Sequence, residues 1–324
     1  SWDNTARKQN NGHIFHEFSL LRYKQWLSSI VNKVYSNDKY TVDEKIVFVN
    51  AWNEWAEGTH LEPDGRYGYG YLQSTYDVLK NYDASDLAKF NRKQGLVKKN
   101  RNAVILHLHY KDLWPVISDY LAKSIDDLDY DLYVSVTSSS VAKNVLGDFP
   151  EAYIELVENR GRDILPFIRM LKVIKNRDYI AVCKLHSKRS VYRDDGDDIR
   201  DEMFESLIGS REKVAGILSR FNDNARLGLV APQDYLIQHN DHNMTFDKDV
   251  VRNVSKRLHV EFKYDVFPAG SMFWFAPKCL EPLLTLDQTF FEIESGLADG
   301  TTAHAVERMF CLVAKDRNYT IESC

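Results

Sequence analysis

Two groups of charged residues follow predicted strands and have the chemistry to bind an anion. The segment Glu158–Asp163 (ENRGRD) contains two arginines separated by one glycine, directly before a predicted helix. Guanidinium groups and a helix amino terminus both bind phosphate oxygens, and a glycine lets the backbone approach a ligand closely. In the segment Lys184–Ser190 (KLHSKRS), strand alternation places Lys184, His186 and Lys188 on one side. Such cations could neutralise a diphosphate without a metal, but a surface turn and a solvated basic loop remain open alternatives.

A second kind of chemistry needs carboxylates that act as acids or bases. Asp299 and Glu294 lie in an acidic, glycine-containing segment before a predicted helix that carries His304 and Arg308. Asp299 either serves as a base at a cleft or caps the helix, and the spacing alone favours the cap. His304 and Arg308 lie opposite the apolar stripe of that helix, so they face either water or a cleft.

Glu54 and Glu57 form another carboxylate pair, after the apolar run Ile46–Asn50, which is typical of a buried strand. Three residues apart, both can reach one site, as the acid and the base of glycoside chemistry must. A helix is predicted over 70–82, which completes one β-loop-α unit. Because a (β/α)₈ barrel takes about 250 residues, one such unit leaves any site built on this pair incomplete.

We expect no cofactor and no bound metal. The DxD sequence Asp129–Asp131 precedes a predicted strand, which is the wrong end for a site at the carboxyl ends of the strands. The acidic loop Asp194–Asp198 is expected to be solvated. The four cysteines are scattered and form no CxxC motif. They indicate core residues of a reducing compartment, not a zinc site or a set of disulfides.

The elements that must position these residues alternate between strand and helix beyond residue 103. Asp163 is expected to cap the helix that begins at residue 164. The alternation predicts an α/β fold with a mostly parallel sheet, covered on both faces, whose ligands lie beyond the carboxyl ends of the strands. The polar stretch 83–102 predicts a boundary between domains 1–98 and 99–324. Strands are predicted over 103–109, 132–137, 153–157, 179–185 and 227–231, and helices over 113–124, 141–146, 164–176 and 303–315.

Length and composition narrow the function classes. The 324 residues predict two domains, and a net charge of −5 excludes a general surface for binding nucleic acid. No apolar run approaches the roughly 20 residues that a membrane span needs. The chain shows no signal peptide, begins at Ser1 and stops at Cys324 just after the start of a predicted strand. We therefore expect it to be part of a longer polypeptide.

From about Ala103 to Tyr319 the chain resembles the rhamnan synthesis F family of bacterial polysaccharide glycosyltransferases. One departure is Ile199-Arg200, where the family has a Trp-Arg pair. The first 90 or so residues resemble the carboxyl end of the WbsX-like glycosyltransferase family, whose barrel is similar to that of certain endo-acting mannoside hydrolases. The first resemblance is carried by ENRGRDILPF (158–167), KLHSKRS (184–190), GLVAP (228–232), FPAGSMFWF (267–275) and DGTTAHAVERMF (299–310), and the second by WDNT (2–5) and NAWNEWAEGTHLEPD (50–64).

These resemblances imply a GT-A-like, Rossmann-like sheet domain, preceded by a partial segment derived from a β/α barrel. They also imply a cytoplasmic glycosyltransferase of cell-surface polysaccharide synthesis, peripherally associated with the inner face of the plasma membrane. Its donor would be a nucleotide-activated deoxyhexose, with dTDP-rhamnose as the expected compound, and its acceptor would be a lipid-linked glycan.

The roles of individual residues follow from the same resemblances. Asp299 is the expected base that deprotonates the acceptor, Glu294 is the second candidate, and His304 belongs to the same catalytic group. Glu54 and Glu57 match the catalytic pair of the related hydrolases, as a remnant of that site. The donor-binding residues implied are Asn159, Arg160, Gly161, Arg162, Asp163, Lys184, His186, Lys188 and Gly270.

Two rival functions stay open. A glycoside hydrolase acting through Glu54 and Glu57 would act on glycan without any nucleotide sugar. A non-catalytic glycan-binding module, kept for its aromatic surface, would bind glycan but no nucleotide diphosphate. Aromatic residues occupy 12% of positions, a content that suits both sugar stacking and an ordinary core.

Overall fold

The computed structural model describes residues 2–15, 17–35, 46–79, 99–125, 130–187, 196–292, 297 and 299–324. The chain divides into two compact units, residues 1–92 and 93–324. Of the predicted site residues, Lys188 and Glu294 lie outside the described residues, and so do the first residues of the acidic loop at 194–198.

The first unit is built from short elements. In chain order they are β1 (Trp2–Asp3), α1 (Thr5–Lys8), β2 (Ile14–Phe15), α2 (Leu20–Tyr35), β3 (Asn53–Glu54), β4 (Thr59–His60) and α3 (70–79). The strands form two antiparallel pairs, β1 with β2 and β3 with β4. Leu27 and Val31 of α2 pack against Val78 of α3 and form a small apolar core.

The predicted strand over Ile46–Asn50 is wrong. Residues 46–49 have no regular secondary structure, and Ile46 and Phe48 are 58% and 88% exposed. Val47 and Val49 pack against the small core, so the segment has the two-residue period of a strand. No described strand pairs with this segment. β-branched residues favour a strand only where a neighbouring strand supplies packing and hydrogen bonds, so the segment does not form one.

The second unit is centred on a seven-stranded sheet. In chain order its elements are β5 (Asn102–Leu108), α4 (Trp114–Ile125), β6 (Tyr130–Val136), α5 (Ser139–Asp148), β7 (Tyr153–Leu156), α6 (Ile164–Ile174), β8 (Val182–His186), α7 (Gly196–Ile208), α8 (Arg211–Asp223), β9 (Leu227–Ala231), β10 (Leu236–Gln238), α9 (Lys248–Leu258), β11 (Val266–Pro268), β12 (Phe273–Phe275), α10 (Thr302–Asp316) and β13 (Thr320–Ser323). The strand order is β13-β9-β12-β8-β5-β6-β7, and β12 is antiparallel to both of its neighbours. The other neighbouring strands are parallel, so the predicted α/β fold with a mostly parallel sheet is confirmed.

Strand β12 is not predicted from the sequence. All three of its residues are buried, so it lacks the alternation that marks a half-exposed strand. It lies between β8 and β9, and the indole Nε1 of Trp274 donates a hydrogen bond to the carbonyl oxygen of Leu207 at 3.0 Å. This strand matters for the site because the loop before it reaches the carboxyl end of β8.

Helices α6 and α10 contact each other and pack on the sheet through aromatic side chains. Phe167 of α6, Phe310 of α10 and Phe273 and Phe275 of β12 meet edge to face, with ring centroids 4.9–6.4 Å apart. Burying one such ring stabilises a fold by about 1.5–3 kcal/mol relative to leaving it in water. The cluster therefore fixes β12 against α6, next to the strand end where polar residues collect.

The chain changes direction across the sheet at β5. It proceeds from β5 to β6 and β7 on one side, then crosses back through α6 to β8 on the other side of β5. The chain thus continues from β5 and from β8 in opposite directions across the sheet, which makes the carboxyl ends of these two strands a topological switch point. In open α/β sheets such a switch point is where ligands bind.

Candidate active site

The carboxyl ends of β5 and β8 lie side by side at the switch point. His107 is opposite His186 in the register of the two strands, and both residues are almost fully buried. The Oγ of Ser187, just after β8, accepts hydrogen bonds from the backbone N–H groups of His109 and Tyr110 at 2.8 and 3.0 Å. The two strand ends are thus joined and carry polar side chains at one edge of the sheet.

Lys184 makes a buried ion pair beneath this edge. Its Nζ is 2.6 Å from Oδ2 of Asp163, and it donates to the carbonyl oxygen and the hydroxyl of Ser271 at 2.6 and 2.7 Å. The residue is 1% exposed, and three phenylalanine rings from α6, β12 and α10 lie 5.2–6.0 Å from Nζ. The ammonium is therefore enclosed in protein and balanced by Asp163, and the donor-binding role expected of Lys184 stays a prediction.

Asp163 precedes α6, as expected, but its side chain makes no cap hydrogen bond, so the predicted capping role is wrong. Its Oδ2 accepts a hydrogen bond from the Ser271 hydroxyl at 2.8 Å and lies 3.8 Å from Nε2 of His186. A buried ammonium without a counter-ion costs more than an uncapped helix turn, which explains why the carboxylate points to Lys184. Asp163 consequently links the loop after β7 to β8 and to the loop before β12.

Gly270 and Ser271 form a tight turn before β12. Their φ angles are 81° and 62°, in the left-handed region that glycine adopts without strain. A Cβ at Gly270 would lie 2.3 Å from Cε of Met203. The turn directs two carbonyl oxygens inward, so that Nε2 of His186 donates to Gly270 at 2.7 Å and Lys184 donates to Ser271. Gly270 therefore belongs to the cluster through its backbone.

The two arginines of the ENRGRD segment bind backbone carbonyl groups. Arg160 donates from Nε and Nη2 to the carbonyl oxygen of Phe291 at 2.9 and 2.6 Å, and Arg162 donates to that of Leu297. The donor-binding role expected of these arginines stays a prediction, while the structure shows each guanidinium bound to a protein carbonyl. Both tie the loop after β7 to the segment that leads to Asp299.

Gly161 lies between these arginines and lets the loop approach Phe291. Its φ is 63°, and an added Cβ would come within 2.7 Å of Cδ1 of Phe291 and of Cβ of Leu165. Any larger residue would push the two segments apart. Asn159, by contrast, is exposed at the start of the same loop.

His107 and His109 are site residues that the sequence analysis did not single out. Burial lowers the pKa of His107 to about 3, and the nearby His186, His109 and Lys184 act in the same direction, so its imidazole is neutral. Its Nδ1 lies 3.0 Å from the hydroxyl of Ser135 on β6. The signal was available in the segment HLH, which puts two histidines on one side of a strand at its carboxyl end.

A second cluster surrounds Asp299. Helix α10 is capped by Thr301, whose Oγ1 is 2.9 Å from Nδ1 of His304 in a capping box, so the predicted capping role of Asp299 is wrong. Both carboxylate oxygens of Asp299 are 3.5 Å from Nη2 of Arg308, and Oδ1 is 3.8 Å from Nδ1 of His304. With its side chain 29% exposed, Asp299 is the carboxylate of this cluster that an acceptor could reach.

Arg308 lies between two carboxylates and not at the water-facing surface. It is 7% exposed, and its Nη2 is 3.1 Å from Oδ2 of Asp247, in addition to its contact with Asp299. Its guanidinium carbon also lies 4.9 Å from the ring centroid of Phe267. The sequence analysis missed Asp247, because a single aspartate 52 residues before Asp299 gives no local signal and only the tertiary fold brings the two together.

The Asp299 cluster is the one group among the described residues in which three ligand-type side chains converge, since atoms of Asp247, Asp299 and His304 lie within 4.8 Å of one another. Arg308 stands 3.1 and 3.5 Å from the two carboxylates and already supplies the positive charge there. The group therefore does not fit a resident metal ion. The expectation of a metal-free site remains a prediction.

A cavity of about 920 Å³ lies at the carboxyl ends of β9 and β13, beside α7. Its lining includes five carboxylates, namely Asp198, Asp201, Glu202, Glu205 and Asp234. A concentration of negative charge repels a diphosphate, so this cavity is a poor place for the donor despite its size.

In the first unit, one arginine joins the predicted glutamate pair. Arg7 donates from Nη2 to Oε1 of Glu54 at 2.9 Å and from Nη1 to Oε1 of Glu57 at 3.0 Å. The two carboxylates therefore meet at one point, as their spacing predicts. A guanidinium between them pairs with two carboxylates, whereas glycoside hydrolysis needs one of the two as a proton donor.

Two family models match the chain, one over its first part and one over the rest. The model of the family described as Rhamnan synthesis protein F matches residues 73–319. The model of the family described as Glycosyltransferase WbsX matches residues 1–75. The two resemblances expected from the sequence motifs are therefore confirmed.

Two proteins from Xanthomonas campestris pv. campestris, from strains B100 and ATCC 33913, are similar to the chain along its length. Both are described as "Uncharacterized protein WxcX". Each is 34% identical over 327 residues, which covers 99% of this chain and 45% of the relative. The chain thus spans just under half the length of these relatives.

Proposed function

Because the chain belongs to the rhamnan synthesis protein F family, we propose that it is a glycosyltransferase of bacterial cell-surface polysaccharide biosynthesis. The proposed donor is a nucleotide-activated deoxyhexose, specifically dTDP-rhamnose, and the proposed acceptor is a lipid-linked glycan. The observation that carries the proposal is the polar network of Asp163, Lys184, His186 and Ser271 at the switch point of the sheet. Membership of this family and the polar residues at the switch point together support a nucleotide-sugar site there.

In the proposed complex the donor lies beyond the carboxyl ends of β5 and β8, as in a GT-A-like domain. The loops at 159–163 and 270–271 both contact the carboxyl end of β8. Lys184 acts indirectly in this arrangement, because its ion pair holds both loops in place. Backbone N–H groups and the exposed Asn159 are the groups of these loops that we propose for contact with the nucleotide.

Asp299 is the proposed base of the transfer step. The acceptor hydroxyl gives its proton to the Asp299 carboxylate while its oxygen forms a bond to C1 of the donor sugar. The bond between C1 and the phosphate oxygen breaks, and the nucleoside diphosphate leaves. Arg308 and His304 stand beside Asp299 and fix its carboxylate. Glu294 is kept as the second candidate.

Calorimetric titration with a panel of nucleotide sugars tests this function. The chain should bind dTDP-rhamnose, and free dTDP should compete for the same site, because most of the donor's charge lies in the diphosphate. Sugars carried on UDP or GDP provide the matched comparison for the base. Binding of glycan fragments without binding of any nucleotide sugar would contradict the proposal.

Metal independence is the first testable expectation. EDTA should leave the rate of sugar transfer unchanged, because Arg308 already supplies a positive charge beside the converging carboxylates of the second cluster. The measurement is the initial rate with EDTA and with added manganese. Loss of transfer in EDTA, followed by recovery in manganese, would show that this expectation is wrong.

The glutamate pair of the first unit is expected to be dispensable for transfer. Replacing Glu54 and Glu57 together with glutamine removes the ion pairs to Arg7, which lie at an exposed site and contribute little stability. The rate of transfer should stay within about twofold of that of the unchanged chain. A loss above about tenfold with the fold intact would mean that the pair takes part in the reaction.

Glycan binding by the first unit is a second candidate function, supported by its aromatic side chains. Trp26, Trp52 and Trp55 are 50–55% exposed, and the ring of Trp55 stacks on His60 at a centroid distance of 3.9 Å. A cavity of about 340 Å³ in the same unit is lined by aromatic residues and by His60. Titration with glycan fragments distinguishes glycan binding from hydrolysis through Glu54 and Glu57. Replacing these two residues should leave glycan binding in place.

None of the described helices is both long and apolar enough to cross a lipid bilayer. We propose that the chain works in the cytoplasm and meets its lipid-linked acceptor by peripheral association with the inner face of the plasma membrane.

A further inference from the structure

Asp247 has an unusual orientation for a residue at the start of a helix. It occupies the position before α9, where an aspartate normally accepts a hydrogen bond from the first turn, yet its side chain makes no such bond. Oδ1 instead accepts a hydrogen bond from the backbone N–H of Gly300 at 3.1 Å. The side chain is 0% exposed. The carboxyl group is thus turned from its own helix toward the segment that carries Asp299.

The two aspartates share their surroundings. The backbone N–H of Gly300 lies 3.1 Å from Oδ1 of Asp247 and 3.2 Å from Oδ1 of Asp299. Nη2 of Arg308 lies 3.1 Å from Asp247 and 3.5 Å from Asp299. Glu307 also lies 3.1 Å from Nη1 of Arg308, so ionising both aspartates would place three carboxylates around one guanidinium in a mostly buried place, which is costly. One proton shared by the two aspartates removes one of these negative charges.

Burial decides which aspartate holds this proton. Asp247 is wholly enclosed, whereas the Asp299 side chain is 29% exposed, so water stabilises the charge on Asp299 better. Burial raises the pKa of Asp247 to about 7, and its hydrogen bond and proximity to Asp299 act in the same direction, while Arg308 opposes them. Below this pH, Asp247 holds the proton.

We propose that Asp247 is a positioning residue, which in its protonated form donates a hydrogen bond to Asp299 and holds that carboxylate toward the acceptor hydroxyl. The inference rests on the proposed function, because it gives Asp247 a role in the same transfer step. Arg308 balances the charge that stays on Asp299. When the acceptor hydroxyl gives its proton to Asp299, the hydrogen bond from Asp247 holds the receiving carboxyl group in place.

Other charged groups around the pair come from several elements. Glu307 on α10 binds Nη1 of Arg308 at 3.1 Å, and His304 lies 3.8 Å from Asp299. Burial lowers the pKa of His239, which follows β10, so it is neutral where Asp247 titrates. On α9, Lys248 pairs with Asp241. The replacement His304→Gln serves as a separate control, because this imidazole also lies beside Asp299.

The replacement Asp247→Asn tests the role, because asparagine keeps the shape and donates a hydrogen bond at every pH. In the unchanged chain, kcat should fall about tenfold per pH unit above about pH 7, as Asp247 loses its proton. In Asp247→Asn this alkaline fall should be absent, with KM for the donor within about twofold. Asp247→Ala should lower kcat about tenfold at every pH. The matched control Asp249→Asn, two residues on and 90% exposed, should keep the original profile.

Melting temperature provides a readout without activity. The pKa of Asp247 is raised from 3.8 to about 7, so the folded chain binds a proton that the unfolded chain releases between these pH values. Asp247 therefore makes its full contribution to the free energy of unfolding below about pH 4, and this contribution is lost as pH rises to about 7. As pH rises across this window, the melting temperature of Asp247→Asn should therefore increase relative to that of the unchanged chain. The infrared band of a protonated carboxyl in the unchanged chain, lost above about pH 7, checks the same point without any variant.

The outcomes separate the two proposals. An alkaline fall that persists in Asp247→Asn would overturn the positioning role, even if the melting data show a proton on Asp247. Melting curves and infrared spectra without a titration near pH 7 would overturn it as well. An unchanged chain that binds no nucleotide sugar and transfers nothing would instead overturn the proposed function, and the positioning role with it.

Discussion

Replacing Asp299 with asparagine is expected to reduce turnover by about 10²–10⁴-fold while donor affinity changes little. In the proposed mechanism the carboxylate is needed only when the acceptor hydroxyl loses its proton, and other residues are proposed to bind the donor. Melting temperature should change by no more than a few degrees. The charge is lost at a side chain that is 29% exposed, and Asp247 and Glu307 still contact the Arg308 guanidinium. The measurements are donor affinity, turnover and melting temperature on one variant.

The matched control for this variant is Asp316→Asn, at the exposed carboxyl end of the same helix. It should leave turnover unchanged. The capping role no longer provides an alternative explanation for Asp299, because Thr301 caps α10. Full turnover and unchanged melting in Asp299→Asn would remove this residue from the catalytic group, and Glu294 would become the candidate base.

Replacing Lys184 with methionine is expected to lower the free energy of unfolding by about 3–5 kcal/mol. Methionine fills the same space between the aromatic rings but leaves the Asp163 carboxylate without its counter-ion and two acceptor groups of Ser271 without their donor. The loops at 159–163 and 270–271 should loosen as well, so donor affinity should fall about tenfold or more. Urea denaturation and calorimetric titration measure the two effects.

A second replacement identifies the cause. Adding Asp163→Asn to Lys184→Met removes the unpaired carboxylate, so the double variant should lose less stability than the sum of the two single losses. Lys143→Met, on an exposed position of α5, is the matched control and should change stability by less than about 0.5 kcal/mol. A loss below about 1 kcal/mol in Lys184→Met would show that the buried ion pair does not hold these loops.

Strand and helix positions in the second unit were predictable where local pattern and tertiary environment agree. Strand β9 begins and ends at the predicted residues, and β5 and α10 differ from their predictions by one residue at each end. Strand β12 was missed because a short, fully buried strand has no alternation to detect. The strand predicted at 46–50 is wrong for the opposite reason. Its residues alternate between buried and exposed, but no described strand pairs with them.

The candidate site was predictable in its location but not in its contacts. The segments ENRGRD and KLHSKRS do converge with Gly270 at the switch point, because their motifs follow strands whose carboxyl ends meet. Which polar group binds which depends on burial, and sequence spacing does not report burial. Arg160 and Asp163 look like ligand-binding and capping residues, yet each is directed to a partner more than 20 residues away in the chain.

Incubation of the chain with dTDP-rhamnose labelled in the sugar, together with a lipid-linked glycan, tests the central claim most directly. The account predicts that label moves to the glycan and that one dTDP is released for each sugar transferred. It also predicts that the Asp299→Asn variant binds the donor and releases almost no dTDP. Shortening of the glycan in the absence of any nucleotide sugar, with dTDP-rhamnose left intact when it is present, would contradict the account.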